Sequence, residues 1–377
     1  MDSVSDRTGR VRTIVREVFG ARAFGLIVSV YVPFLRLVVN IGRAMDGVLF
    51  PAIAKKEIRS PIVLIGNPRT GTTFMQRFLT DHKIGAGMEL YRMVFASLTL
   101  QTLLKPILPI LEAVSPARYH KPEVHKTSLG KVETDDASMI TRYFDGFFLY
   151  GFFLAFDDED LLYTVDPKVR DTSERDFSWI KSLWKRNLVA HKADRVVAKL
   201  FSVSPRVPQF LEEFPDARML YMARDPVSIF PSGMSLVTGV LEEAFGFWSL
   251  PEEVRQKWLD RIYQAFVMLL ERFHEDYTSG RIPKENVYVV RYDRMMKEFE
   301  VVMGELLEFI DHEPTDELTQ IIADRAEKQR AYESKHKYDL AKFNLDEAKI
   351  RKDCAFFYDT FLPPLPHLDE APVERAG

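Results

Sequence analysis

A chain of 377 residues that is 46% apolar and 28% charged can bury a large core, and one elaborated α/β domain fits the length as well as two domains do. Its formal net charge of −4 gives no electrostatic case for a nucleic-acid partner, local basic patches aside. The only cysteine, Cys354, excludes an internal disulfide and a cysteine zinc cluster, and it fits a reducing, cytoplasmic compartment.

Residues 1–56 read as an N-terminal segment of two parts. A basic arm carries Arg7, Arg10, Arg12, Arg16 and Arg22, and an apolar run, Phe24 to Ile41, follows it. A spanning helix needs about 20 predominantly apolar residues, and Pro33, Arg36 and Asn40 interrupt this run. Three readings stand: a span, a helix lying in the membrane interface, or an ordinary packing helix. A signal peptide cleaved at Ala52-Ile53-Ala54 fits less well, because the arm is long and the cut would fall just before the first strand.

Ile62 to Ile65 is continuously apolar and largely β-branched, as suits a strand buried on both faces of a parallel sheet, and from Thr72 onward apolar residues return at helical spacing. Between them Gly66-Asn67-Pro68-Arg69-Thr70-Gly71 makes a glycine loop that opens a helix. The first N–H groups of such a helix lack intrahelical partners, and with the helix dipole they form a site for a phosphate-like anion. Gly66 and Gly71 fit the GxxxxG frame of a P-loop, but Thr72 stands where a nucleotide triphosphatase carries its lysine. The cation lies inside the loop, at Arg69, whose planar fork suits bidentate contact with phosphate or sulfate. The plainer reading is a turn that only joins strand to helix.

Ala86 to Tyr91 leads into or forms a strand edge. Val94 to Ala113 is broken by two prolines into short helices. A polar island follows, His120 to Lys126 and then Glu133-Thr134-Asp135-Asp136, in which His125, Glu133 or Asp135 is an alternative general base and a surface loop is the plain reading. The aromatic cluster Phe144, Phe147, Phe148, Tyr150, Phe152, Phe153 and Phe156 reads as core or as the wall of an apolar cleft. Glu174 to His191 has the pattern of an amphipathic helix with Trp179, Ile180, Leu183, Trp184 and Leu188 on its apolar side. Arg195 to Leu200 is a core strand with Lys199 at its carboxyl end, where ligands of open parallel sheets bind. Ala217 to Ala223 is the next strand and ends at Arg224, with Pro226 in the first turn of the following helix. A last strand, Asn286 to Arg291, ends at Tyr292.

Pro68-Arg69-Thr70-Gly71-Thr72-Thr73-Phe74 resembles the 5′-phosphosulfate loop of the sulfotransferases that use 3′-phosphoadenosine-5′-phosphosulfate (PAPS), P-[KR]-[ST]-G-T-T-[WFL]. Arg224, with Ser232 eight residues later, matches the family's 3′-phosphate signature. The resemblance covers Ser60 to Asp353 in outline and is specific at these two motifs. It implies that Arg69, Thr70, Gly71, Thr72, Thr73, Phe74, Arg224, Ser232 and Tyr292 bind the cofactor. Lys199 takes the position of the family's catalytic lysine, although Ala198-Lys199-Leu200-Phe201 departs from the usual surroundings. Glu89 corresponds to the general base of the tyrosyl-protein type, and a solvated loop carboxylate is its plain reading. Tyr292-Asp293 replaces the family's Y-E, so only the tyrosine carries over. The family's late R-K-G is absent, and Tyr332 to Tyr338 resembles the S-x-H-x-Y run of related bacterial members.

The expected architecture is α/β, a central parallel sheet flanked by helices in a P-loop, nucleotide-kinase-like sulfotransferase fold over residues 57–364, with a disordered tail at 365–377. The expected reaction is sulfuryl transfer from PAPS to a hydroxyl of an apolar or lipid-like acceptor. Arg69 and Lys199 would meet the charge on the leaving phosphate and Glu89 would take the proton, with no metal required. The expected partners are the acceptor and, through residues 24–41, a membrane surface. A P-loop small-molecule kinase and a non-catalytic, membrane-peripheral nucleotide-binding protein are the alternatives.

Overall fold

The computed structural model of the chain describes residues 3–114, 128–330 and 339–365. Four apolar runs form one parallel sheet: β1 (Ile62–Ile65), β2 (Val197–Lys199), β3 (Arg218–Ala223) and β4 (Val287–Arg291), in the order β2-β1-β3-β4. These are the four expected strands, and the α/β fold class holds. β1 lies between β2 and β3, with Leu64 opposite Lys199 on one side and Leu220 on the other. A strand paired on both edges and covered on both faces meets no water, which is why its four residues are all apolar and all buried.

Side chains alternate across the sheet and divide the interior into two cores. Val63, Ile65, Ala198, Met219 and Tyr221 point into the larger one, and Ile62, Leu64, Val197, Leu220 and Met222 into the smaller. Helix α3 (Thr72–Asp81) covers the smaller core through Met75, Phe78 and Leu79. The proline-broken stretch forms α4 (Leu98–Leu104) and α5 (Leu108–Val114) around a short 3₁₀ turn at Lys105–Ile107. The acidic island leads into α6 (Ala137–Tyr143), and the aromatic cluster forms α7 (Phe147–Phe152) and the turn after it. Helix α8 (Ser173–His191) buries all five expected apolar residues. The larger core is completed by α9 (Pro226–Phe245) and α10 (Glu252–Thr278), which brings Trp258, Phe266 and Phe273. After β4 come α11 (Tyr292–Lys297) and, further on, α12 (Asp316–Arg330).

Ala86 to Tyr91 forms no strand. Ala86 makes a single parallel bridge to Val196. The backbone then turns to residues 131–133, with Leu90 N donating to Lys131 O at 3.0 Å and Glu133 N donating to Met88 O at 3.2 Å. Those bonds take the groups that a ladder to β2 would need.

The N-terminal segment is built mainly of α1 (Val4–Glu17) and α2 (Arg22–Leu49), followed by a single turn at Ala52–Lys55, and Val11, Ile14, Val15, Val32, Leu35 and Val39 belong to the larger core. Arg7 is buried and donates to the carbonyls of Phe144 (2.8 Å) and Tyr143 (2.9 Å) beside the Asp145 carboxylate. Asp46 is buried as well, accepting from Ser97, Thr99 and Arg186. A cation and an anion buried with such partners fix the register of both helices on the domain.

Candidate active site

The loop after β1 is shaped by three residues with positive φ: Gly66 (122°), Arg69 (74°) and Gly71 (98°). At Gly66 a side chain would stand 2.8 Å from the Met222 carbonyl of β3, so the tight approach of the two backbones requires glycine. Ser204 Oγ takes the Gly66 N–H at 2.8 Å, and Thr70 Oγ1 donates to Asn67 O at 2.9 Å, closing the turn. Arg69 is the non-glycine residue in the left-handed region here, a conformation that persists only when neighbours enforce it. Its carbonyl accepts from Arg224 at 2.9 Å and its Nε donates to Ser232 Oγ at 2.8 Å. Both holding residues flank the start of α9, so the 5′ and 3′ motifs of the sequence meet in space.

β2 delivers Lys199 to the other side of α3. Its Nζ donates to Thr73 Oγ1 at 3.0 Å. Burial pushes this amine down to about 8, with Arg77 acting in the same sense and the Glu133 carboxylate opposing it. Glu133 pairs with Arg77 at 3.3 Å. The adjacent segment is stitched to the end of β2. Asp135 accepts from Lys199 N and from the Trp184 indole, both at 3.1 Å, and Asp136 accepts from Phe201 N at 2.6 Å and Ser202 N at 3.2 Å. Burial raises both carboxyls, that of Asp135 to about 7.

At the end of β4, Tyr292 lies beneath the Arg224 guanidinium, which sits 4.0 Å from the ring centroid. Gly71 leaves room for this: a side chain there would meet the Tyr292 ring at 3.3 Å. These parts line one cavity of about 650 Å³, within the usual range for a small-molecule site. Its polar lining includes Arg69, Thr72, Thr73, Glu133, Lys199 and Arg224, and its apolar lining includes Leu90, Ile140, Phe148, Phe152, Leu236 and Val237.

A model of the sulfotransferase family matches residues 61–317 of the sequence. The chain belongs to the sulfotransferase family. Solved structures with the same fold include the sulfotransferase STF9 from Mycobacterium avium, 18% identical with a TM-score of 0.62 over 97% of this chain and 98% of that one. The sulfotransferase STF1 from Mycobacterium tuberculosis H37Rv is 16% identical, with a TM-score of 0.64 over 93% of this chain and 92% of the other. No curated protein matches the sequence. Family membership makes the protein an enzyme of sulfuryl transfer, and it gives the kinase alternative no support.

In this sulfotransferase the residues expected at the site divide into three groups. Arg69, Gly71, Thr72, Thr73, Phe74, Lys199, Arg224, Tyr292 and Glu133 line the cavity. Thr70, Ser232 and Asp135 stand behind it: all three are buried, Thr70 holds the loop turn, Ser232 holds Arg69, and both carboxylate oxygens of Asp135 are engaged with Lys199 N and Trp184. Glu89 lies elsewhere. It pairs with Arg92 at 2.6 Å and His191 at 3.2 Å on a separate groove of about 860 Å³. Burial would raise its carboxyl, but the His191 hydrogen bond and the Arg92 charge outweigh burial and hold it below the ordinary value. His125 and the Tyr332 to Tyr338 run lie outside the described residues.

Sequence reasoning missed Arg325, Lys328 and Gln329 of α12 and Leu236 and Val237 of α9, all of which line the cavity. The Arg325 guanidinium is 4.8 Å from the Phe74 ring centroid. The signal in the sequence was weak: the stripe Leu318, Ile322 and Ala326 seats α12 on the smaller core, but nothing in its polar residues says which turn faces the loop. The aromatic cluster serves both purposes considered for it. Phe144, Tyr150 and Phe156 are core, and Phe148 and Phe152 are wall.

Proposed function

We propose that the enzyme moves the sulfuryl group of PAPS to a hydroxyl of an apolar, lipid-like acceptor, with Glu133 as the general base. The observation that carries this reading is a single cavity that joins a cationic loop, a carboxylate in electrostatic range of Lys199 and an aromatic and aliphatic wall. The residues present fit the donor. The start of α3 with Arg69, Thr72 and Thr73 suits its 5′-phosphosulfate, Arg224 suits its 3′-phosphate, and the Tyr292 ring suits a stacked base. PAPS supplies a sulfur bonded to a good leaving phosphate.

The chain's own task is then to neutralise charge and to move one proton. Lys199 and Arg69 meet the charge that grows on the phosphate oxygen as its bond to sulfur breaks. Glu133, oriented by Arg77, takes the proton of the acceptor hydroxyl as the new oxygen–sulfur bond forms, leaving adenosine 3′,5′-bisphosphate and a sulfate ester. The apolar wall excludes water, the competing acceptor, and favours an alcohol carried on a hydrophobic body.

Two measurements test the proposal. Adenosine 3′,5′-bisphosphate should raise the melting temperature well above the effect of ATP with magnesium, since a ligand of the native state stabilises it by mass action. Incubation with radiolabelled PAPS and a cell extract should place label in the organic-soluble fraction. Label confined to aqueous glycans or peptides would overturn the acceptor class, and a larger shift with ATP and magnesium would overturn the donor.

A further inference from the structure

The side of α2 turned away from the domain is apolar over nearly its whole length. Leu26, Ile27, Val30, Phe34, Leu37 and Val48 are each more than half exposed, Val30 at 71% and Val48 at 82%. From Ala23 to Leu49 no exposed position carries a charge, because Arg43 turns inward to Ala96 O and Ser182, Arg36 is half-buried and Asp46 is buried. Beside α2, the continuous stretch from α4 through the 3₁₀ turn to α5 adds exposed Leu103, Ile107 and Ile110. The two elements touch closely: at Gly42 a side chain would meet Leu100 at 2.6 Å. A helix of 28 residues is about 42 Å long, so this is a continuous strip and not a scatter of single exposed residues.

We infer that this strip docks on an anionic lipid surface, with α2 lying in the plane of the bilayer interface. A crossing helix is incompatible with the packing, since Val32, Leu35, Val39 and Gly42 are buried against the domain along the opposite side. Charge decides between lipid and a second copy of the chain. The exposed cations around the strip are Arg22 at the start of α2, Arg12 on α1, Lys105 between α4 and α5, and Lys55 beyond the end of α2. Arg12 packs directly on α2, its Cγ 3.1 Å from where a side chain at Gly25 would begin. The nearby acids Glu17 and Glu57 are already paired, with Arg16 and Arg59. Two such basic rims would repel across a symmetric dimer, whereas anionic headgroups complement them around an apolar centre. The start of the strip also packs on the segment that carries part of the cavity wall. Phe24 in the first turn of α2 meets Phe153 at 6.1 Å and Phe245 at 5.1 Å, and Phe153 follows the wall residue Phe152. Docking does not depend on the proposed acceptor and stands if that reading fails.

The test is flotation of the full chain with vesicles of phosphatidylcholine containing phosphatidylglycerol, and with pure phosphatidylcholine vesicles. The wild type should float with the anionic vesicles. Val30→Glu with Phe34→Glu, both at exposed positions, should lower partitioning at least about tenfold, with an unchanged melting temperature reporting intact folding. Arg22→Gln and Lys105→Gln should each lower binding to the anionic vesicles about fivefold. A wild type that floats with neither vesicle, or a double variant that floats as well as wild type, overturns the inference. So does a lipid-free dimer that the double variant converts to monomer, which would give the strip to a second copy.

Discussion

Glu133, which is buried, and Glu89, which is half-buried, are both carboxylates next to arginines, and what separates them further is the cavity each one faces. Glu133 shares its cavity with Lys199 and the phosphate loop, while Glu89 is held by Arg92 and His191 on another groove. Glu133→Gln should therefore lower kcat by about 10²- to 10⁴-fold with little change in affinity for adenosine 3′,5′-bisphosphate, and Glu89→Gln should keep near wild-type turnover. Steady-state kinetics and calorimetry on the two variants check this, and the opposite pattern would return the base to Glu89. Lys199 sets a pH limit. Burial brings its amine from 10.5 to about 8, so the cation proposed to meet the leaving charge is present below about pH 8 and lost above it. kcat/KM should fall on that alkaline limb, and Lys199→Arg, whatever its absolute rate, should lack the limb because guanidinium stays charged. Stability follows the opposite course. Between about 8 and 10.5 the unfolded chain holds this proton more firmly, so the amine's contribution to stability rises with pH.

At the scale of single elements, the loop after β1 is a clamped structure, and Arg224 is one clamp. Arg224→Ala should remove a charge-assisted contact worth about 1.5–3 kcal/mol, roughly 10- to 100-fold in affinity for adenosine 3′,5′-bisphosphate by calorimetry. Unchanged affinity would end its assignment to the 3′-phosphate. The loop was legible in the sequence because a continuous apolar strand, two glycines at fixed spacing and a helix start are local signals. Ser232 shows where locality ends. Its spacing from Arg224 put it on the right helix, but the packing of α9 under the loop aims its hydroxyl at Arg69. The same limit applies to Glu133, whose place is set by backbone bonds to Met88 and by its neighbours' bonds to β2. It applies again to Arg325 and Lys328, which reach the cavity only because α12 folds back over the sheet's end.

For the molecule as a whole, the N-terminal helices are structural partners of the sheet. Asp46→Ala would leave Arg186 buried without its carboxylate and should cost about 3–5 kcal/mol, read as a lower denaturant midpoint. The apolar run that contains most of α2 was plain in the sequence. That one side of it packs on the core while the other stays bare was not, because Pro33, Arg36 and Asn40 blur the helical stripe. One further property follows from the carboxylates of Asp135 and Asp136, which bridge the segment after Glu133 to the backbone of residues 199–202. They act as a fixed gauge: the spacing between Glu133, the proposed proton acceptor, and the Lys199 amine is set before either substrate arrives. Among the described residues these two groups are then in place before the first ligand, so donor and acceptor should enter in either order. Initial-rate and product-inhibition patterns should be those of random addition, and a compulsory order would mean that the gauge is completed only on binding.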